Sequence, residues 1–171
     1  MGTVMPVVID GNNLLFAAQD TGDPDHVMGR SGLCDALGEW ARRCKKRVHV
    51  VFDGPPPPAA LAQQIGHPDI RVSYSGAGVS ADDVIIGILE SDSAARRLLV
   101  VSTDRAIRRA AVRRRAQDVR SDEFWGLVRR DLQREPRERV EPPEKHAGLE
   151  PDQTEEWLKR FDFNNDDDDG R

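Results

Sequence analysis

The stretch "VMPVVIDGNNLL" (residues 4–15) decides the fold. A run rich in Val and Ile ends in an acid, Asp10, and a glycine and two asparagines, Asn12 and Asn13, then turn the chain towards a helix. A short β-branched run closed by turn residues reads as a buried strand. Three more runs share that build: "RVHVVFD" (47–53), "IRVSYS" (70–75) and "LLVVSTD" (98–104). Between the first two, Leu33, Leu37, Trp40, Ala41 and Cys44 recur at helical spacing after Ser31. After the third comes the apolar run of residues 84–89. Strands separated by helices predict a parallel sheet with right-handed crossovers. Past Asp104, "RAIRRAAVRRRA" (105–116) predicts a helix, "QDVRS" (117–121) a short fifth strand, and "DEFWGLVRRDLQ" (122–133) a helix capped by Ser121. The expected class is α/β.

At 171 residues, the chain has room for one domain with a sizeable core and a short appendage. A hydrophobic content of 38% with only 5% aromatic residues suits an α/β domain better than an aromatic-rich β-sandwich. The expected domain is 1–134. Residues 135–151 place four prolines among charges and predict a linker, because almost nothing there can join a core. Residues 152–171 predict a short amphipathic helix carrying Trp157, Leu158 and Phe161, followed by an acidic tail. Cys34 and Cys44 fall in one predicted helix, with no second pair to complete a zinc site and no disulfide framework, as suits a reducing cytoplasm. The first ten residues pass straight into a strand without the segments of a signal peptide. No apolar run approaches membrane-spanning length, so the expected protein is cytoplasmic and makes no membrane contact.

Three of the four strong strands end in an aspartate: Asp10, Asp53 and Asp104. The carboxyl ends of parallel strands face one side, where ligands of open α/β sheets bind. The fourth strand leads through "GAGVS" (76–80) into Asp82 and Asp83, on that same side. Clustered carboxylates repel one another in a low-dielectric crevice, so a cation or raised pKa values must offset them. Aspartates at strand ends also cap helices and form turns, and Ser80 with Asp83 makes an S-x-x-D capping box. It is the convergence of all the acids that favours chemistry. An all-oxygen set without neighbouring His or Cys predicts Mg²⁺ or Mn²⁺ rather than zinc. The acids that could share one or two divalent ions are Asp10, Asp53, Asp104 and the pair Asp82 and Asp83. Such ions commonly assist phosphate chemistry, which predicts hydrolysis of a nucleic acid.

The net charge of −5 hides an uneven distribution, with arginines crowding 105–139 and acids crowding the last twenty or so residues. An anionic partner is therefore compatible with the chain. Arg105, Arg108 and Arg109, at the start of the arginine-rich helix, are candidate RNA contacts, and Ser102 is a candidate phosphate donor. A solvated helix face explains the same arginines equally well. The run of four prolines at 55–58 predicts a stiff turn into a helix at 59–64.

Taken in order and spacing, "VVIDGNNLL", "VVFDG", "SADDVI" and "VVSTD" resemble the NYN domain family of PIN-like nucleases, most closely its YacP-like branch. The resemblance spans roughly residues 4–134. It implies a Rossmann-like three-layer sandwich with a mostly parallel sheet of about five strands. It also implies an endoribonuclease dependent on Mg²⁺ or Mn²⁺, with RNA as substrate, and some YacP-like members are implicated in ribosome-associated mRNA cleavage. The implied metal-binding acids are Asp10, Asp82 and Asp104. Asp53 is a fourth catalytic contributor and Asn13 the asparagine of the D-G-x-N turn. Asp83 stands where relatives often have another acid, and the segment after Glu135 falls outside the core pattern. Hydrolysis should leave 5′-phosphate and 3′-hydroxyl ends. The competing expectation is a non-catalytic RNA- or ribosome-binding adaptor on the same fold. A phosphatase with an aspartyl nucleophile is disfavoured, since Asn12 stands where its second acid belongs.

Overall fold

The computed structural model describes residues 5–21 and 28–134. Contacts divide the chain into a unit Met1–Glu135 and a second unit Pro136–Arg171. The expected linker, the helix of Trp157, Leu158 and Phe161, and the acidic tail lie outside the described residues.

Five strands, β1 (Pro6–Asp10), β2 (Arg47–Phe52), β3 (Ile70–Tyr74), β4 (Leu99–Val101) and β5 (Gln117–Val119), form one sheet in the order β3-β2-β1-β4-β5. Every neighbouring pair is parallel, with Val8 opposite His49 on one side and Val100 on the other. The chain winds outward from β1 to β3, then crosses back to β4 beside β1. The direction of winding thus reverses between β1 and β4, which is where open α/β sheets leave a crevice at their carboxyl edge.

Among the described residues six α-helices cover the sheet: α1 (Gly11–Asp20), α2 (Arg30–Cys44), α3 (Ala59–Ile65), α4 (Ala81–Ser91), α5 (Arg105–Arg113) and α6 (Ser121–Gln133). Side chains alternate along a strand, so each strand serves two cores. Val8, Val51 and Val100 pack with Ile85 and Leu89 of α4 and Ile107, Ala110 and Ala111 of α5. On the other face α1, α2 and α6 pack together, Leu14, Leu33, Leu37 and Phe124 being wholly buried. Trp40 meets Phe124 edge-on at 5.2 Å and donates its indole N–H to Asp131 at 3.0 Å. Each such side chain contributes about 1.5–3 kcal/mol on burial, against about 1 kcal/mol for a helix cap. The two apolar layers therefore set the fold, and the caps refine it. No helix among the described residues is long and apolar enough to cross a membrane.

Several elements differ from the sequence expectation. Two helices, not one, join β1 to β2, and α1 begins at Gly11 with no intervening loop. α5 stops at Arg113, and Arg115 turns the chain with a positive φ of 56°. Ser121 does not cap α6: Arg120 holds the N-cap position without a side-chain bond, and Ser121 is the first helical residue. Its hydroxyl is engaged elsewhere, as shown below.

Gly11 is required by close approach. A Cβ there would lie 2.6 Å from the Phe52 ring and 2.9 Å from Val50. Phe52 is fully buried, and the Arg30 guanidinium sits 4.9 Å from its ring centroid, so the ring has little room to yield. Gly11→Ala should lower the unfolding free energy by about 1–3 kcal/mol, the usual cost of overpacking. Denaturant unfolding would measure this, and an unchanged midpoint would show that Phe52 can move aside.

Candidate active site at the carboxyl edge of the sheet

Strand alternation aims the acids. Val8, Val51 and Val100 face α4 and α5, so residues two further along, Asp10, Asp53 and Ser102, project to the same face at the sheet's edge. α5 starts beyond β4 with Asp104 as its N-cap, and α4 begins with Asp82 in its first turn.

Each strand-end acid has a local partner. Asp10 Oδ1 accepts the Asn13 N–H at 3.0 Å, at the start of α1. Asp104 Oδ1 accepts from Ala106 at 2.6 Å and Ile107 at 3.3 Å, at the start of α5. Asp53 Oδ1 accepts the Ala81 N–H at 3.0 Å, at the start of α4, and the Ser75 hydroxyl at 3.4 Å. Asp83 completes the expected capping box: its N–H donates to Ser80 Oγ at 3.1 Å, and the Ser80 hydroxyl donates to its Oδ2 at 2.8 Å. Asp82 has no hydrogen bond or ion pair among the described residues.

Three polar residues are buried among those described: Asp10, Ser102 and Ser121. All three belong to one network. Ser102 donates to Asp10 Oδ2 at 3.2 Å and accepts the Asp104 N–H at 3.0 Å. Asn13 Oδ1 accepts the Thr103 N–H at 3.0 Å and the Ser121 hydroxyl at 2.9 Å. The turn after β1, the turn after β4 and the start of α6 are thereby tied together. Buried polar groups are costly unless bonded, and their confinement to this edge marks it as the place where polarity was retained against that cost.

Charge agrees with this geometry. Burial is the main reason that Asp10 holds its proton above the ordinary carboxylate value, with Asp104 and Asp53 adding repulsion and the bonds from Asn13 and Ser102 opposing it. Burial also raises Asp82, followed by repulsion from Asp104, Asp10, Asp83 and Asp53. Four carboxylates thus share one field, with Asp83 on its margin. Among the described residues no three acids, histidines or cysteines close on a single ion-sized point. The donor chemistry nevertheless suits a hard divalent ion of the Mg²⁺ kind, which binds through one or two carboxylates and takes its other oxygens from water and phosphate. His49 is occupied with Ser73 at 2.8 Å. Burial pushes the Cys34 thiol up to about 12 and the Cys44 thiol to about 11, which removes both as nucleophiles.

The remaining sequence candidates separate. Asn13 bridges two turns through its carbonyl oxygen. Arg108 is paired with Asp118 at 2.6 Å, which supports α5 against β5 rather than facing solvent freely. Arg105 and Arg109 are exposed and have no bond or ion pair among the described residues; the same holds for Arg113 and Arg115. Sequence reasoning missed Ser121, which reaches Asn13 across 108 positions, and Ser75, which receives the Gly54 N–H at 2.9 Å. A lone serine at a helix start carries no local sign of so distant a partner.

A family model described as the YacP-like NYN domain matches residues 7–162. The match runs past Arg134 through Trp157 and Phe161, so residues 136–162 of the segment that sequence reading set outside the pattern are included in it. No curated protein matches the chain. Among solved structures, Rae1 (YacP) from Bacillus subtilis matches with a TM-score of 0.56 and 18% identity, over 75% of this chain and 77% of that one. A mutant of the same protein matches with a TM-score of 0.57 and 20% identity, over 74% and 76%. At such identities the likeness shows the shared fold.

The raised proton affinity of Asp82 fixes the sign of a pH effect. A carboxyl whose folded pKa exceeds its unfolded value of 3.8 detracts from stability as pH rises through and above that window. Without divalent ions, Asp82→Asn should therefore melt a few degrees higher than the parent at pH 7. The gain should shrink as pH falls through the raised value and vanish below the unfolded value of 3.8, where the parent's carboxyl is protonated in both states. Thermal melts across that range check it, and an Asp82→Asn protein that melts lower at neutral pH contradicts the repulsion argument.

Proposed function

The chain belongs to the family of YacP-like NYN domains, and from that membership we propose that it is an endoribonuclease that hydrolyses RNA phosphodiester bonds with Mg²⁺ or Mn²⁺. The observation that carries the reading is the meeting of Asp10, Asp53, Asp82 and Asp104 at the carboxyl edge of the sheet, with Ser102 and Ser121, the other two buried polar residues among those described, bonded into the same network. Divalent ions held by Asp10, Asp82 and Asp104 would supply activation of water and neutralisation of the charge that builds on the phosphate. Asp10 is held rigidly by Asn13 and Ser102, so its carboxylate keeps one orientation. Asp82, without a competing partner, is the acid best able to turn towards substrate. Ser102 and Asn13 position Asp10, Thr103 and Asp104, and Asp53 fixes the start of α4 and hence Asp82. Hydrolysis would leave 5′-phosphate and 3′-hydroxyl ends. RNA bound by a ribosome is a substrate within the same reading.

The arginines give the path of the backbone. Arg105, Arg109 and Arg113 lie at i, i+4 and i+8 of α5, which puts them on one stripe starting beside Asp104. With Arg115 they are the cations of this segment that have no hydrogen bond or ion pair among the described residues, whereas Arg108 pairs with Asp118 and Arg114 bonds the Leu89 and Asp92 carbonyls.

Two measurements test the proposal. Asparagine is as good an N-cap as aspartate, so Asp10→Asn and Asp104→Asn remove charge while retaining the caps. Both variants should fold and should cleave labelled RNA at least about 100-fold more slowly in Mn²⁺, more than the usual loss from disturbing residues behind a metal site. Cleavage that persists in either variant, or in EDTA, rules the reading out. RNA binding that survives with no cleavage by the parent identifies the adaptor. Separately, four free arginines limit the salt dependence of single-stranded RNA binding to a log–log slope of about −3. Replacing Arg105 and Arg109 by alanine should reduce it to about −1.5, whereas an unchanged slope would place the backbone elsewhere.

A further inference from the structure

A groove of about 730 Å³ opens beside Asn13, whose backbone N–H donates to Asp10. Its floor is one face of α1, where Asn13, Phe16, Ala17 and Asp20 follow at helical spacing. Its other wall is the turn after β4, through Thr103, and the start of α6, through Arg120 and Asp122. Asn13 and Thr103 bond to each other at 3.0 Å, and Thr103 directly precedes Asp104. The groove therefore shares the turn after β4, and Asn13, with the network around the carboxylates.

Its chemistry is unlike that of the crevice. Phe16 is 70% exposed, the most exposed large apolar side chain among those described. A lone exposed ring needs no special explanation by itself. This one, however, sits in a groove whose rim carries groups of both hydrogen-bonding senses: the Asp20 and Asp122 carboxylates accept, the Arg120 guanidinium donates, and the Asn13 amide N–H₂, whose companion oxygen is already doubly engaged, also donates. Arg120 is paired with Asp122 at 3.0 Å, and Asp20 adds a further negative charge, so the groove does not favour a phosphate. A flat, neutral ligand with donors and acceptors at its edge is the complement, and that describes a nucleobase. Single-stranded RNA is recognised in this way, through bases stacked on aromatic rings and bonded at their edges.

We propose that the groove between α1 and the start of α6 is a nucleobase site, in which a base of single-stranded RNA next to the phosphate at Asp104 stacks on Phe16. The inference rests on the RNA reading of the carboxylate crevice and adds a substrate class to it. The backbone then runs along the α5 arginines, and a base must leave any duplex to enter the groove. Structured RNA would be bound by its backbone alone.

The test uses full-length protein carrying Asp104→Asn, so that binding is read without cleavage, and two fluorescein-labelled probes: an unstructured RNA 12-mer and a hairpin of comparable paired length. Phe16→Ala should weaken binding of the single strand by about 5- to 100-fold, the range for losing one base–aromatic stack. Phe16→Trp should restore it, and hairpin binding should change less than 3-fold. The ring touches little of the protein, so the melting temperature should stay constant. The proposal is overturned by equal single-strand affinity with and without Phe16, by a parallel loss on the hairpin, by a parent that binds neither probe, or by a clear fall in melting temperature, which would mean that the chain itself covers the ring. Cleavage by the parent is scored independently, so a nuclease with an indifferent Phe16 removes only the base site.

Discussion

Each acid that follows a strand at the carboxyl edge commits one carboxylate oxygen to the start of a helix. Asp10 does so for α1, Asp53 for α4 and Asp104 for α5. A helix start carries unsatisfied N–H groups and a partial positive charge, so it is the cheapest place in a folded chain to put an anion. The same bonds that begin the helices therefore hold three like charges near one another. They also fix the orientation of each carboxylate, since engaging Oδ1 determines where the other oxygen can point.

Magnitudes show why this compensation is partial. A cap contributes about 1 kcal/mol, whereas two unit charges about 6 Å apart, at an effective dielectric constant of about 20, interact by about 3 kcal/mol. Burial first, and repulsion from the neighbouring acids after it, raise the proton affinity of Asp10, which is enclosed, and of Asp82, which has no partner among the described residues. A protein with no use for the cluster could relieve the repulsion by replacing Asp82 with any small polar residue at no structural cost. The strain is therefore concentrated at the one acid that the fold does not need.

Sequence patterns carried the fold further than the site. Strands of β-branched residues ending at turns were legible because period and punctuation are local, and so were Asp10, Asp53 and Asp104, which sit where strand runs stop. The Ser80–Asp83 capping box was legible for the same reason. What escaped was non-local or depended on the order of the strands. The turn into a helix after Asp10 was legible, but not that α1 ends at Asp20 and a separate α2 follows before β2. Ser121 looked like a cap because serine before an acidic turn usually is one, and only the sheet order brings it to Asn13. Arg108 read as a surface cation because nothing local announces Asp118 ten positions on as its partner. The arginines without partners could be told from the bonded ones only in three dimensions.

The network around Asn13 makes the site a property of the whole domain. Asp10 and Asn13 come from its beginning, Asp53 and Asp82 from its middle, and Ser121 from its last helix. Thr103 and Ser121 reach the same Asn13 oxygen from different elements. α6 itself is held by packing against α1 and α2, with Phe124 and Trp125 buried and Trp40 bonded to Asp131. Docking of α6 thus delivers the Ser121 hydroxyl to a carbonyl that also orients the turn carrying Asp104. The start of the same helix forms a wall of the groove beside Phe16. The start of α6 therefore borders both the network behind the acidic crevice and the groove beside Phe16.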